Sequence, residues 1–244
     1  MNEETLHDDA LLCELEVLID DCGLDIDHDT VRGCIEHFLL VLEANRTINL
    51  TRITDVHEGL VLHILDSLLL TPFVESTPWG TLLDMGTGAG YPGVPLALAT
   101  KRPIVLLDSV TKKITAVESF CQKLGIDAAS CSNERVEQYA KEHRESCTCV
   151  VARAMASLPV LIEYASPLLS IGGSLIATKG TPESSEIDSG LKVARICGFE
   201  FETSQRITLP RGLGERTILQ FKKTKPASIG LPRKVGVAKK TPLA

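Results

Sequence analysis

The sequence is poor in aromatic residues: Phe, Tyr and Trp make up 4% of its 244 residues, with a single Trp. A platform that stacks several bases, as single-strand binders use, is therefore not expected. Long apolar runs are also missing. The longest uncharged stretches, Met85–Thr100 and Tyr164–Thr178, fall short of the about 18–20 residues of a membrane helix, and Gly and Pro interrupt both. No membrane partner is expected. The opening MNEETLHDDA has no basic group ahead of an apolar segment, so no signal peptide is read and a cytoplasmic location is expected. Cysteines number eight, but none form a Cys-x-x-Cys pair, and the single residue between Cys147 and Cys149 is poor zinc spacing. No metal site is expected, and the thiols are read as reduced and buried.

What is present is ordinary for a globular chain, with 44% hydrophobic and 23% charged residues. At this length roughly 70–75% of the unfolded surface can be buried, so no staple is needed. The net charge of −7 hides a gradient. Residues 1–80 hold 17 acidic and 3 basic residues, whereas residues 201–244 hold 2 and 10. A basic tail behind an acidic head is what a polyanion partner wants, and it is equally what a solubilising tail looks like.

Apolar residues at 3–4 spacing predict helices over 5–22, 29–44 and 56–70, closed by the Pro72–Pro78 stretch. The period then changes. Short apolar runs at Thr81–Asp84, Ile104–Asp108, Thr148–Ala152 and Ser174–Thr178 alternate with helical stretches at 94–100, 111–124 and 157–169. That alternation is the pattern of an α/β fold with a mostly parallel sheet covered on both faces. Phe201–Ile207 and Thr217–Phe221 read as an antiparallel pair at its edge, and Lys222–Ala244 as a mostly extended segment. The division is a helical unit over 1–75, a main domain over 76–224 and a basic tail over 225–244.

The decisive segment runs from Leu82 to Gly93, a strand leading into a glycine loop and then a helix. In an open α/β sheet such a turn is where ligands bind. Two cofactors fit the glycines. Gly88-Ala89-Gly90-Tyr91-Pro92-Gly93 matches the dinucleotide fingerprint, and Asp84-Met85-Gly86-Thr87-Gly88-Ala89-Gly90 matches the Asp-x-Gly-x-Gly-x-Gly of S-adenosyl-L-methionine enzymes. The register favours the second. An acid ends the strand two residues before Gly86, where it suits the cationic methionine end and repels a pyrophosphate. Asp108 ends the next strand, where an acid holds ribose hydroxyls in either case.

The chain resembles the bacterial 16S ribosomal RNA guanine-N7 methyltransferases, the RsmG or glucose-inhibited division protein B family. The resemblance lies in Asn49-Leu50-Thr51, His63-Ile64-Leu65-Asp66-Ser67, the loop Asp84–Gly93, Leu106-Leu107-Asp108-Ser109 through Lys112-Lys113, Ala152-Arg153-Ala154, Lys179-Gly180 and Arg233-Lys234-Val235-Gly236. Their order and spacing cover about residue 40 to the C-terminus. The resemblance implies a seven-stranded, mostly parallel, Rossmann-like methyltransferase fold with a helical N-terminal extension. It implies S-adenosyl-L-methionine as cofactor and a guanine at position 527 of 16S rRNA as acceptor, with the rRNA or the 30S subunit as partner; a monomer is the default expectation, independent of the resemblance. The resemblance carries cofactor binding onto Gly86, Tyr91, Val136, Glu137 and Arg153, to which the glycine loop and the strand-ending acid add Gly88 and Asp108. Tyr91 and Val136 depart from the family pattern, which has Phe or Leu at the first and commonly Ala at the second.

The absences agree with this chemistry. There is no Pro-Cys for attack on a pyrimidine and no Pro-Pro of the kind exocyclic-amine enzymes use. Guanine N7 is an unprotonated lone pair, so no catalytic base is assigned; holding the reactants together can supply roughly 7–11 kcal/mol. His63 and Asp66 lie three apart on one helical face, and Lys179 follows a strand's carboxyl end. Asn49 and Arg52 are candidates to face RNA. Arg211, Arg216, Lys222, Lys223, Lys225, Arg233, Lys234, Lys239 and Lys240 are the candidates for phosphate contact. Two other readings stay open: a small-molecule methyltransferase and a non-catalytic ribosome-binding protein.

Overall fold

The computed structural model describes residues 3–244; Met1 and Asn2 of the N-terminal unit lie outside the described residues. Helices α1 (Glu3–Asp21) and α2 (His28–Asn45) form where the apolar spacing places them. Asp27 caps α2, its carboxylate accepting from the Thr30 N–H at 2.9 Å and the Thr30 hydroxyl at 2.7 Å. The third expected helix is α3 (Val56–Gly59), π-helical turns over Leu60–Leu65, and α4 (Asp66–Leu68), followed by α5 (Thr71–Glu75). Leu11, Leu15, Phe38, Leu60 and Ile64 close a core between these helices, and Leu209 from the main domain joins it.

One expectation about apolar length needs correcting. Val56–Glu75 is long and apolar enough to cross a membrane by length and composition, at a mean hydropathy of 1.2. Counting only uncharged runs passes over it because Glu58, Asp66 and Glu75 interrupt it. In the structure 67% of its apolar window is buried inside the protein, as in a core helix.

The main domain then alternates: β1 (Leu82–Met85), α6 (Gly93–Thr100), β2 (Ile104–Leu107), α7 (Thr111–Lys123), β3 (Ala129–Ser132), α8 (Val136–Glu142), β4 (Cys147–Arg153), α9 (Leu158–Ala165), β5 (Leu169–Lys179), α10 (Ser184–Cys197), β6 (Phe199–Thr208), β7 (Glu215–Lys223) and α11 (Val237–Lys240). The seven strands lie in the order β3-β2-β1-β4-β5-β7-β6. Strands β1 to β5 run parallel, and β7 runs antiparallel to both β5 and β6. Leu82–Met85 pair with Ile104–Leu107, and both strands are buried on both faces, which is why their sequences read as unbroken apolar runs. The order reverses between β1 and β4. That switch point opens a crevice at the strands' carboxyl ends. Below it, Arg102 is buried and donates to Gly80 O, Val74 O, Thr77 Oγ1, Pro78 O and Thr148 Oγ1 at 2.6–3.1 Å, tying the 74–80 connection to the sheet.

Three elements were not visible as separate patterns. β3 is four small or polar residues at an edge, α8 is seven residues long, and α10 buries only Gly190, Val193, Ala194 and Cys197. The last segment, read as mostly extended, contains one helical turn at residues 237–240. Leu231 and Ala238 are buried in the core on one face of the sheet. All eight cysteines are free, but Cys13 is exposed and Cys22 and Cys131 are half-buried, so burial holds for only five.

Candidate active site

The glycine loop extends the sheet before it turns. Gly86 N and Thr87 N both donate to Leu107 O, at 2.8 and 3.0 Å, so the loop leaves β1 still bonded to β2. Gly88 sits at φ +61°, in left-handed space that other residues enter only at a cost. Its N–H donates to Asp108 Oδ2 at 3.1 Å, while Asp108 Oδ1 accepts from Val110 N at 2.9 Å. One acid thus fixes the loop and the start of α7 together.

The acid that ends β1 does something other than expected. Asp84 is fully buried beneath the loop and does not line the crevice. Its Oδ2 accepts from Gly93 N at 2.9 Å, anchoring the first turn of α6. Burial pushes its carboxyl up to about 6, against the Thr87 hydroxyl, the Gly93 N–H and the Arg153 charge, which pull it down. The pairing of this acid with a cationic ligand is therefore not direct. Gly93 has no room for a side chain, since a Cβ there would meet Leu106 Cδ2 and lie 2.7 Å from Asp84 Oδ2.

A cavity of about 540 Å3 opens above the loop. All seven residues expected at a cofactor site line it: Gly86, Gly88, Tyr91, Asp108, Val136, Glu137 and Arg153. The fit to a cofactor rests on the loop itself. A Cβ built at Gly88 finds nothing closer than Gly86 O at 4.0 Å, so the bare backbone faces open cavity that a ligand can approach. The volume falls within the roughly 300–1,000 Å3 of small-ligand sites. When bound, S-adenosyl-L-methionine supplies a methyl group on a positively charged sulfur. Gly86, Gly88, Asp108, Val136 and Glu137, which line the cavity, are the groups that would hold it.

Aromatic stacking and two neutral histidines build the cavity's floor. Tyr91 lies parallel to His63, with ring centroids 4.6 Å apart and planes at 7°, and His37 packs on it at 4.6 Å. The Arg153 guanidinium sits 5.7 Å from the Tyr91 ring centre. His37 pairs with Ala89 O at 3.0 Å, and His63 with Thr51 Oγ1 at 2.8 Å. Burial holds both imidazoles down at about 3, with Arg153 adding to the effect at His63, so both are neutral. His63 and Asp66 do not act as a joined pair. Asp66 binds two arginines, accepting from Arg153 Nη1 at 2.8 Å and Arg216 Nε at 2.9 Å.

Several further lining residues carry the resemblance or the tail's charge without being assigned to this cavity by the sequence. Leu50 and Thr51 are presented by a loop that Asn45 clamps, its Oδ1 accepting from Leu50 N at 2.8 Å and Thr51 N at 3.0 Å. Val235, Gly236 and Lys239 arrive from the C-terminal segment, where Gly236 N donates to Glu137 Oε1 at 2.8 Å. The same oxygen accepts from the Tyr164 hydroxyl at 3.1 Å. Only the three-dimensional closure of the tail reveals these contacts. Asn49 and Arg52 are exposed beside this loop.

The basic tail is more committed than its charge count predicts. Lys223 is buried and donates to Ser166 O, Ser166 Oγ and Cys197 O. Arg233 makes a two-pronged bond to Glu163, Arg216 holds Asp66, and Arg211 pairs with Glu14 at 2.6 Å. Lys222 lies 3.7 Å from Glu202. Lys225, Lys234, Lys239 and Lys240 are exposed and without an ion-pair partner among the described residues.

Comparison with known proteins matches these features to a family. Residues 34–211 match the profile of GidB, described as rRNA small subunit methyltransferase G. The ribosomal RNA small subunit methyltransferase G of Alkaliphilus metalliredigens is 35% identical over 233 residues, covering 93% of this chain and 98% of that protein. That of Pelotomaculum thermopropionicum is 36% identical over 226 residues, covering 91% and 94%. Among solved structures, M. jannaschii TYW2 in complex with AdoMet has a TM-score of 0.54 at 12% identity, covering 66% of this chain and 76% of that one, which speaks to the fold alone. With a profile match over most of its length and relatives above 30% identity end to end, this chain belongs to the rRNA small subunit methyltransferase G family.

Proposed function

We propose that this protein transfers the methyl group of S-adenosyl-L-methionine to N7 of a guanine in 16S ribosomal RNA, the one at position 527. The observation that carries the reading is the glycine-loop cavity at the sheet's switch point, in a chain of this family. Gly86 and Gly88 offer bare backbone to the ligand. Asp108 retains acceptor capacity beyond its two backbone bonds, because a carboxylate has about four lone-pair sites. It is assigned to the ribose hydroxyls. Guanine N7 carries no proton, so no protein group has to remove one. The protein's work is to bind, orient and keep water out.

The exposed lysines 225, 234, 239 and 240, together with Asn49 and Arg52, are the residues assigned to RNA contact. A cytoplasmic monomer without membrane contact, acting on 16S rRNA or the 30S subunit, completes the reading. The test is mass spectrometry of 16S rRNA from cells with and without the gene. The nucleoside at position 527 should lose its methyl group when the gene is absent, and purified protein should restore it with labelled cofactor. Identical methylation in both cell lines would sink the proposal.

A further inference from the structure

A second cavity of about 410 Å3 adjoins the first and shares His63, Arg153 and Ala154 with it. Asp66, Thr178, Lys179 and Arg216 complete its polar lining. It lies at the carboxyl ends of β4 and β5, where Arg153 and Thr178 are direct partners across the ladder. Three sequence fragments that carry the resemblance meet here, His63 to Asp66, Ala152-Arg153-Ala154 and Lys179-Gly180, the first two reaching the cofactor cavity as well.

The lining is built and charged, and two buried groups in it lack a partner among the described residues, His63 Nδ1 and the Thr178 hydroxyl. Asp66 holds the guanidinium groups of Arg153 and Arg216, one on each oxygen. Arg153 uses only Nη1, on Leu62 O and Asp66, and Arg216 uses Nε and Nη1. Each guanidinium has five N–H donors, so both keep donors to spare. Lys179 is pinned by Ala156 O at 2.9 Å and Glu186 at 2.8 Å. Thr178 is 2% exposed, and its hydroxyl has no partner among the described residues. A buried hydroxyl left in that state is disfavoured unless a ligand supplies the missing bond.

We propose that this second cavity receives the target guanine, turned out of the RNA stack, with Arg153 on the wall between base and cofactor. The proposal rests on the rRNA reading above. If N7 faces the cofactor cavity, then O6, the neighbouring acceptor on the same edge of guanine, faces the shared wall. Arg153 presents its spare donors there. Adenine would present an amino group to the same cation, so the wall selects guanine. Arg216 and Lys179 suit the phosphate of a flipped nucleotide, and Thr178 bonds the base's remaining polar edge.

The test compares Thr178→Val, which keeps shape and removes the hydroxyl, with Thr178→Ser, which keeps the hydroxyl. Arg216→Gln is the second probe. Cofactor affinity is read by calorimetry, folding by thermal melting, and kcat/KM on 30S subunits from cells lacking the gene. Thr178→Val should bind S-adenosyl-L-methionine like the parent yet lose roughly tenfold in kcat/KM, with Thr178→Ser restoring most of it. Arg216→Gln should lose at least as much. Parental kcat/KM in both Thr178→Val and Arg216→Gln would overturn the pocket. So would a parallel fall in cofactor affinity, which would assign the cavity to the cofactor. If the parent itself binds cofactor but methylates neither 30S nor rRNA, the rRNA reading fails first and takes the guanine pocket with it.

Discussion

Replacing Gly88 with Ala separates loop geometry from ligand space. The added Cβ meets no atom closer than 4.0 Å, so packing is undisturbed. The N–H that donates to Asp108 is kept. What remains is the cost of φ +61° for a residue with a side chain, about 1 kcal/mol. For a chain of this size that lowers Tm by about 2–4 °C. The ligand suffers more. A methyl group in the cradle forces it back from the loop, and two lost hydrogen bonds at about 1 kcal/mol each weaken binding roughly 30-fold. Gly93→Ala is the converse control. Its Cβ would press on Leu106 and on Asp84, 2.7 Å from the carboxylate, in a core with no slack. Overpacking of this kind costs about 1–3 kcal/mol before any ligand is added. Calorimetry with S-adenosyl-L-methionine and thermal melting on both variants decide the matter. A Gly88→Ala protein that melts near the parent and binds cofactor within twofold of it would refute the assignment of this loop to the ligand.

The same geometry leads to three further outcomes. Changing Lys225, Lys234 and Lys240 to Gln should leave cofactor affinity unchanged and lower the log–log salt slope of RNA binding by about 2, whereas Lys223→Gln should cost stability instead; an unmoved slope would argue for a small-molecule acceptor. Glu137→Ala removes the acceptor shared by Tyr164 and Gly236, so hydrogen exchange across Gly236–Lys240 should accelerate, and unchanged protection would mean the tail is held elsewhere. Stability should fall as pH drops below 6.5. His37 and His63 stay neutral down to about 3 when folded, so the unfolded chain takes up to two more protons. Asp84 opposes this between about 6 and 3.8, where the folded carboxyl holds a proton that the unfolded one has released. The net is about one proton, or about 1.4 kcal/mol per pH unit. His37→Gln should flatten that slope in denaturant titrations at several pH values, and an unchanged slope would mean His37 takes up its proton without unfolding.

Legibility in the sequence followed the range of each interaction. Strands β1, β2 and β4 were readable because burial on both faces leaves a continuous apolar run, and the glycine loop because its geometry needs specific residues at fixed offsets. Edge strand β3, with its small and polar residues, and the narrowly apolar α10 gave no such signal. All seven expected site residues do converge on one cavity, yet what they do there differed in kind. Asp84, singled out for its charge, holds a helix from below instead of facing a ligand.

Charge counts misled for a related reason. A count treats every cation as free, but the fold spends Lys223 on three acceptors and Arg233, Arg216 and Arg211 on buried or half-buried carboxylates. Those carboxylates, Glu163, Asp66 and Glu14, lie 70, 150 and 197 positions away in the chain, and no local pattern announces them. Arg216 shows the consequence. Read as a phosphate contact, it belongs to the tail; held by Asp66 beside Arg153, it belongs to the second cavity. The acidic head is therefore more than a region kept away from RNA. Asp66, one of its acids, reaches across to orient the two arginines of the second cavity, so head and tail charges are spent partly on each other. Among the nine cations singled out for phosphate contact, those left over, at 225, 234, 239 and 240, are the ones whose removal should be felt by RNA and not by the fold.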